Sequence, residues 1–172
     1  KITNDIAIAV DQLGTRKGAI AVYLEPWHSD IFDFVDIKKN SGEERRRTHD
    51  LFPALWIPDL FMKRVAEDGL WNLFDALTCA DLTNLYGEAF EKRYKEYEAD
   101  ESIPKETIKA KDLWKRILTN YFEVGSPFLC FKDNANRANP NYHSGIIRSS
   151  NLCTEIFKNT EPNKCFIREE FE

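Results

Sequence analysis

A thiol, a carboxylate and an amide alternate with other residues late in the sequence, within Ser149–Phe157. Asn151, Cys153 and Glu155 occupy positions i, i+2 and i+4, which lie on one face of an extended segment. Each of these groups can handle a proton or a hydrogen atom, so the pattern could form a small reactive site. Taken alone, the pattern favours a surface strand with one buried cysteine.

A second candidate site is the segment Asp11–Gly18. It contains two glycines, the amide of Gln12 and the adjacent cations Arg16 and Lys17. Glycine makes the backbone flexible, and amide and cationic groups can meet a base and phosphates, so the segment could contact a nucleotide. A solvated connection is the other interpretation of the same composition.

The remaining reactive residues do not form a recognisable site. Arg45–Arg47 could hold a phosphate, but a solvated, internally paired charge run is favoured. The four cysteines and three histidines have no zinc-binding spacing, so reduced thiols and no metal site are predicted. The tyrosines from Tyr86 to Tyr97 follow helical spacing and are interpreted as core residues, not as a radical relay.

Apolar runs and helical periodicity predict an α/β fold of βα units with a mainly parallel sheet. The predicted strands are 19–24 (buried on both faces), 51–57, 71–74 and 128–131, with another beginning at 165–168. The predicted helices are 2–10 with Thr3 as N-cap, a short one capped by Ser29 or Asp30, 59–66, one from Asp81 to Tyr97, and one that Pro104 and Thr107 open and Gly125 ends. Residues 134–145 are predicted to be a loop.

The composition predicts one folded domain, since 172 residues with 42 % hydrophobic content can build a core. A net charge of −5 argues against a general nucleic-acid or membrane-surface binder. No apolar run approaches the roughly 18 residues that a membrane helix needs, and no signal peptide is visible. Because the sequence begins at Lys1 and not at Met, we expect a fragment of a longer chain.

The sequence around Cys153 resembles that of a known family. Residues 151–156, Asn-Leu-Cys-Thr-Glu-Ile, are similar to the active-site motif of the large subunit of ribonucleotide reductase. The similarity extends from about Asp5 to Phe157, in the order and with nearly the spacing of the family. Further stretches that carry it are Leu24–His28, Asp30–Phe34, Lys38–Gly42, Asp50–Met62 and Gly125–Phe128.

The resemblance implies part of a ten-stranded α/β barrel, incomplete in this chain, in which residues 149–157 form a central finger loop. It implies that Cys153 becomes a transient thiyl radical and takes the 3′ hydrogen atom of a ribonucleotide. Glu155 is then the general base for the 3′-hydroxyl proton, and Asn151 holds the substrate hydroxyl groups. Substrate contacts are implied for Asn151, Leu152, Cys153 and Glu155.

For residues 11–18 the resemblance implies a loop between an effector nucleotide and the substrate base. Gln12 and either Arg16 or Lys17 are the implied base contacts. The choice between the two cations stays open, because the loop is one residue shorter than in some relatives. The other implied members of this communication loop are Asp11, Gly14 and Gly18.

The resemblance also implies what acts together with this chain. No cofactor or metal is expected on the chain itself, since the radical comes from a small partner subunit of the dimetal or tyrosyl type. The implied ligands and partners are a ribonucleotide substrate, the effectors ATP, dATP, dTTP or dGTP, a second large subunit, and thioredoxin or glutaredoxin. A cytoplasmic enzyme that reduces diphosphates for DNA synthesis is expected, with no nucleic acid and no membrane among its partners.

Two alternatives to this function remain at the level of sequence. One is a cobalamin-dependent relative with the same reaction, and the other is a non-catalytic nucleotide-binding module of the same fold. The family's reductant cysteine pair has no match in Cys79, Cys130 or Cys165. The isolated chain is therefore expected to be inactive and, with unpaired strand edges, to self-associate.

Overall fold

A computed structural model of the chain describes residues 1–160, and the strand predicted to begin at 165–168 lies outside the described residues. The described strands are β1 (Ile20–Leu24), β2 (Leu51–Ile57), β3 (Leu70–Phe74), β4 (Lys105–Lys109) and β5 (Phe128–Phe131). The α-helices are α1 (Ile2–Ala9), α2 (Ile31–Val35), α3 (Asp59–Ala66), α4 (Gly87–Ala99), α5 (Ala110–Val124) and α6 (Lys132–Arg137). Short 3-10 helices occupy Glu44–Arg46, Ala80–Asn84 and Tyr142–Ser144.

The first sheet is parallel and has the strand order β1-β2-β5, as the βα pattern predicts. Strand β2 lies in the middle and is buried almost throughout, because its apolar run is covered on both faces. Pro53 is tolerated inside this central strand because pairing with β5 begins only at the next residue, Ala54.

Strand β1 is less buried than its apolar sequence predicts. All five of its residues are half-buried, because β1 is an edge strand within residues 1–160. The described strands do not close into a barrel, and β1 and β5 each keep one unpaired edge in this part of the chain. Self-association of the isolated chain stays a prediction.

An antiparallel pair, β3 with β4, accompanies the parallel sheet. Strand β4 replaces the start of the helix that Pro104 and Thr107 were predicted to open. The Thr107 hydroxyl donates to the Asn72 side-chain oxygen across the pair at 2.6 Å. Because Thr107 and Ile108 are β-branched, they suit an extended chain once β3 lies alongside to pair with them.

Helix α5 consequently begins only at Ala110 and ends before Gly125. Gly125 has a left-handed backbone with φ of +71°, which glycine adopts without steric cost. The predicted end of this helix is confirmed, and the prediction of its start is wrong.

The single helix predicted from Asp81 to Tyr97 is broken in two. A 3-10 turn at Ala80–Asn84 precedes α4, and Gly87 opens α4 with φ of +59°. The Asp81 carboxylate does not cap a helix. It accepts hydrogen bonds from Arg93 Nε at 2.7 Å and from the Tyr97 hydroxyl at 2.6 Å.

Two other helix predictions are corrected. Helix α1 starts at Ile2 with Lys1 in the N-cap position, so Thr3 lies inside the helix and does not cap it. Part of the loop predicted at 134–145 is helix α6, in which Asn136 is buried and exchanges two hydrogen bonds with the backbone of Ile147, whereas Asn134 and Arg137 are exposed. Asp30, one of the two predicted caps, occupies the N-cap position of the short helix α2, but its side chain makes no capping hydrogen bond.

Large aromatic side chains dominate the main core. Tyr94 stacks on Trp71 with ring centroids 4.4 Å apart, and its hydroxyl donates to the Asn72 carbonyl at 2.9 Å. Burial raises the pKa of Tyr94, so the hydroxyl stays protonated. Tyr94 and Tyr97 are both buried, which confirms their interpretation as core residues.

A smaller core forms separately around Trp56, Cys130 and Ile147. Tyr23 from β1 and Ala135 from α6 pack against it. Cys130 is 5 % exposed, and burial raises the pKa of its thiol. This confirms that Cys130 serves packing, and the cluster lies next to the predicted reactive segment.

Candidate active site

The segment that carries Asn151, Cys153 and Glu155 is a turn and not an extended strand. Its ends meet in an antiparallel bridge between Ser150 and Phe157. The Thr154 N–H donates to the Asn151 carbonyl at 3.2 Å, so the chain reverses direction around Cys153. The prediction that the three side chains share the face of a strand is therefore wrong, although they remain together on one short turn.

The side chain of Asn151 holds this turn together. Its Oδ1 accepts the backbone N–H groups of Glu155 and Ile156, each at 3.1 Å, and the Ser150 hydroxyl at 3.2 Å. Because the two backbone groups can only donate, the amide oxygen must face the turn and the amide nitrogen must face away. The nitrogen has no hydrogen-bond partner within residues 1–160, so Asn151 can offer a ligand two N–H donors.

The thiol of Cys153 and the carboxylate of Glu155 are exposed. Neither side chain has a hydrogen-bond or ion-pair partner among the described residues. The two groups can therefore meet a ligand without first breaking a bond inside the protein. Leu152, the fourth predicted contact, is half-buried in the same turn.

Aromatic side chains attach the turn to the parallel sheet. Phe157 stacks on Trp56 of β2, with ring centroids 5.9 Å apart, and Trp56 contacts Tyr23 of β1 edge-on at 6.0 Å. The Tyr23 hydroxyl donates to the Asn151 carbonyl at 3.0 Å. Upstream of the turn, both Arg148 Nε and Nη2 donate to Asn84 Oδ1, at 3.1 and 2.6 Å.

Two backbone N–H groups of the loop at 11–18 donate hydrogen bonds that close the loop on itself. The Gln12 N–H donates to the Arg16 carbonyl at 3.0 Å, and the Gly18 N–H donates to the Asp11 carboxylate at 2.6 Å. Its two glycines serve different purposes. Gly14 adopts a left-handed φ of +78° in open space, whereas a Cβ on Gly18 would lie 2.0 Å from the Ala7 carbonyl oxygen.

The side chains of Gln12, Arg16 and Lys17 are exposed at the surface of this loop. They make no hydrogen bond to another side chain within residues 1–160. Helix α1, which leads into the loop, is anchored to the start of β2 by Asn4, whose side chain exchanges two hydrogen bonds with Asp50. In the described part of the chain, no hydrogen bond joins this loop to the turn of Cys153.

A buried ion pair that sequence reasoning missed lies beyond the carboxyl ends of β1 and β5. Lys132 Nζ donates to both oxygens of Glu25, at 2.8 and 2.9 Å, and to the Leu82 carbonyl at 2.9 Å. Trp27 Nε1 donates to Glu25 at 2.7 Å. A signal was present, since each of the two charged residues directly follows an apolar strand.

Burial and mutual attraction act in opposite directions on this pair. Burial raises the pKa of Glu25 and lowers the pKa of Lys132, while the attraction between them opposes both shifts. Three acceptors surround Lys132, so all three of its N–H groups are used. The pair therefore joins two strand ends and has no free donor to offer a ligand.

The arginine run is mostly paired inside the protein, as predicted. Arg46 bonds to Asp33 at 2.5 Å, and Arg47 donates twice to the Ser41 carbonyl. A cavity of about 540 Å³ opens beside these two arginines. Its other lining residues are Leu24, His28, Asp30, Asp33, Phe34 and Ile37, with none from the turn of Cys153.

Within residues 1–160, no group of three or more His, Cys, Asp or Glu side chains is arranged to hold a metal ion. Across the same residues, none of the helices combines the length and the apolar composition that crossing a membrane requires.

Comparison with known proteins gives a consistent result. The family profile described as "Ribonucleotide reductase, barrel domain" matches residues 1–167. The ribonucleoside-diphosphate reductase subunit alpha of Helicobacter pylori (strain J99) is 71 % identical over 171 residues, which is 99 % of this chain and 22 % of the relative. The subunit of the same name from Chlamydia trachomatis is 48 % identical over 163 residues, 92 % of this chain and 16 % of the relative.

A eukaryotic relative matches equally well. The ribonucleoside-diphosphate reductase large subunit of Caenorhabditis elegans is 48 % identical over 165 residues, which is 95 % of this chain and 21 % of the relative. The chain thus spans about a fifth of the length of the curated relatives that it matches.

Proposed function

The chain belongs to the ribonucleotide reductase barrel-domain family, and from this premise we propose that it carries the radical chemistry of a ribonucleoside-diphosphate reductase large subunit. In this proposal the turn at 149–157 is the finger loop, and the parallel sheet β1-β2-β5 is one segment of a ten-stranded barrel. The observation that carries the proposal is the turn itself. Cys153 and Glu155 are exposed there and have no partner within residues 1–160, while Asn151 holds the backbone.

The proposed reaction begins at carbon 3′ of a ribonucleoside diphosphate. The thiyl form of Cys153 removes the 3′ hydrogen atom, which forms the S–H bond and leaves a carbon radical. Glu155 accepts the 3′-hydroxyl proton as general base, and the 2′-hydroxyl leaves as water. A dithiol outside this chain supplies the proton with which the 2′-hydroxyl leaves as water, the hydrogen atom that binds to carbon 2′ and one further electron, and it becomes a disulfide. Glu155 then returns its proton to the 3′ oxygen, and Cys153 returns its hydrogen atom to carbon 3′.

The side chains present fit these tasks. A thiol exchanges a hydrogen atom with an activated C–H bond reversibly, and the Glu155 carboxylate, which has no partner in the described part of the chain, can accept a proton. The amide nitrogen of Asn151 faces away from the turn and can donate to a substrate hydroxyl group. Leu152 supplies an apolar contact beside them.

The proposed partners follow from the family. They are a radical-generating small subunit of the dimetal or tyrosyl type, a second large subunit, thioredoxin or glutaredoxin, and the nucleotide effectors ATP, dATP, dTTP and dGTP. We propose a cytoplasmic location on the basis of these partners. No observation favours a cobalamin-dependent enzyme or a non-catalytic nucleotide-binding module.

The test of the catalytic assignment is Cys153→Ser in the full-length large subunit, assayed with its small subunit. We expect deoxynucleotide formation to fall to background while effector binding is retained, because a hydroxyl cannot replace the thiyl radical. Cys79→Ala removes a thiol from the main core and is the matched control. Substantial turnover by Cys153→Ser would rule out the assignment.

We also propose that residues 11–18 couple the effector to the choice of substrate. The exposed side chains of Gln12 and Arg16, on a loop whose base is closed by Asp11 and Gly18, support this role. Changing both Gln12 and Arg16 to alanine should scramble which nucleotide is preferred under each effector. The control is Lys111→Ala on helix α5. An unchanged pattern of substrate preference in the double variant would show that the loop only connects α1 to β1.

A further inference from the structure

Tyr23 joins strand β1 to the turn of Cys153. Its hydroxyl donates to the Asn151 carbonyl at 3.0 Å, across 128 positions of sequence. The ring is held edge-on against Trp56, which in turn stacks on Phe157 at the far end of the turn. One aromatic cluster therefore holds both ends of the segment.

The acceptor of this hydrogen bond is a central atom of the turn. The Asn151 carbonyl also accepts the Thr154 N–H at 3.2 Å, so both of its lone pairs are occupied. The Asn151 side chain binds the next two backbone N–H groups, those of Glu155 and Ile156. Moving this one residue would displace the peptide groups on either side of Cys153.

The turn needs such an external restraint. Thr154 adopts a left-handed backbone with φ of +64°, which is unfavourable for a β-branched residue. A strained conformation of this kind persists only where surrounding contacts enforce it. Tyr23 supplies one of those contacts from a strand of the parallel sheet.

We infer that Tyr23 is a positioning residue, whose hydroxyl fixes the Asn151 carbonyl and thereby aims Cys153 and Glu155 at the ribose. The inference rests on the proposed function of the turn. The packing role of the ring and the role of the hydroxyl are separable, because phenylalanine would fill the same space in the aromatic cluster. Burial, followed by the nearby Cys130, raises the pKa of Tyr23, so the hydroxyl stays a donor.

The experiment is Tyr23→Phe in the full-length large subunit, assayed with its small subunit. We expect kcat to fall about 10-fold while KM changes by less than about 2-fold, since the substrate still binds but the reacting groups are misaligned. Hydrogen exchange of a peptide covering 149–157 should become about 3- to 10-fold faster. Exchange in β1 and β2 should stay as in the unmodified enzyme.

Tyr94→Phe is the matched control. Its hydroxyl also donates to a backbone carbonyl, that of Asn72 at 2.9 Å, but in the main core. This variant should lose some stability without changing kcat or the exchange of the turn.

Three results would overturn the inference. They are an unchanged kcat and unchanged exchange in Tyr23→Phe, a lower kcat without faster exchange of the turn, or faster exchange throughout the sheet. The proposed function fails separately, if Cys153→Ser remains active. If Cys153→Ser is inactive and Tyr23→Phe behaves as the unmodified enzyme, only the role of Tyr23 is wrong.

Discussion

The buried Glu25–Lys132 pair and the exposed turn at 150–157 use their polar groups in opposite ways. In the pair, every N–H of Lys132 has an acceptor inside the protein, and both carboxylate oxygens of Glu25 are bonded. In the turn, the backbone and the Asn151 oxygen are bonded, whereas the side chains of Cys153 and Glu155 have no partner among the described residues.

A shifted pKa does not by itself mark a reactive group. Strongly perturbed pKa values often mark active sites, and burial does shift the pKa values of Glu25 and Lys132. Yet a saturated pair cannot take a proton from a ligand or give one without losing its own bonds. The proposed site therefore rests on the side chains of the turn that have no partner within residues 1–160, and not on the perturbed pKa values of the pair.

The largest loss of stability is expected when the Glu25–Lys132 pair is broken. Lys132→Met leaves the Glu25 carboxylate buried without a counter-charge, which should lower the free energy of unfolding by about 3–5 kcal/mol. Chemical denaturation of the full-length subunit measures this change. The double variant Glu25→Gln/Lys132→Met should recover most of the loss, and an equal loss in the double variant would contradict the account.

A large catalytic effect with little effect on stability is expected at the turn. Glu155→Gln keeps the shape of the side chain but removes the base, so kcat should fall roughly 10²-fold. Because the side chain is exposed, the free energy of unfolding should change by less than about 0.5 kcal/mol. Glu101→Gln, at another exposed site, is the control. A loss of stability in Glu155→Gln as large as that in Lys132→Met would contradict the contrast between the turn and the pair.

Substitution of Asn151 should affect both the catalytic rate and the backbone hydrogen bonds of the turn. Asn151→Ala removes the acceptor of two backbone N–H groups as well as the free donor, so we expect kcat to fall roughly 10-fold and the amides of Glu155 and Ile156 to exchange faster. Asn151→Asp keeps the acceptor and should preserve slow exchange while losing the donor. Fast exchange in the aspartate variant would contradict the assigned orientation of the amide.

The smallest expected effect concerns a carboxylate of intermediate exposure, Asp36. Burial alone would raise the pKa of Asp36, but hydrogen bonds from Arg116, Lys39 and Asn120 outweigh it and hold the pKa at about 2. A folded-state pKa below the unfolded value means that this stabilisation is present above about pH 4 and is lost as the pH falls toward 2.

Asp36→Asn should remove about 1 kcal/mol of this pH-dependent stability, a small amount because Arg116 is 43 % exposed and solvent weakens the pair. The free energy of unfolding measured between about pH 2.5 and 6 checks this. Identical pH profiles for Asp36→Asn and the unmodified protein would show that the ion pair contributes nothing. The expected loss of about 1 kcal/mol would make Asp36 intermediate between the buried Glu25–Lys132 pair and the exposed turn.

The local sequence was sufficient to predict an element where that element carries a regular pattern of apolar residues. The apolar run of β2 was predicted with its observed bounds, Leu51–Ile57, and helix α5 ends before Gly125 as expected. Hydrophobic periodicity and backbone preference predict such elements, because the residues that set the pattern are also the ones that pack in the core. Strand β4 and the break before α4 were missed, since they depend on Asn72 and Asp81 bonding to residues distant in sequence.

The family and the residue types of the candidate site follow from the sequence alone, because the motif itself contains Asn151, Cys153 and Glu155. The folded chain alone shows that these residues form a turn, that the side-chain oxygen of Asn151 accepts backbone N–H groups of the turn, and that the Tyr23 hydroxyl on β1 donates to the Asn151 carbonyl. The physical reason is that local alternation is compatible with a strand or a turn. Contacts between residues far apart in sequence select one of them, just as burial beside Glu25 decides that Lys132 is a structural cation and not a ligand-binding one.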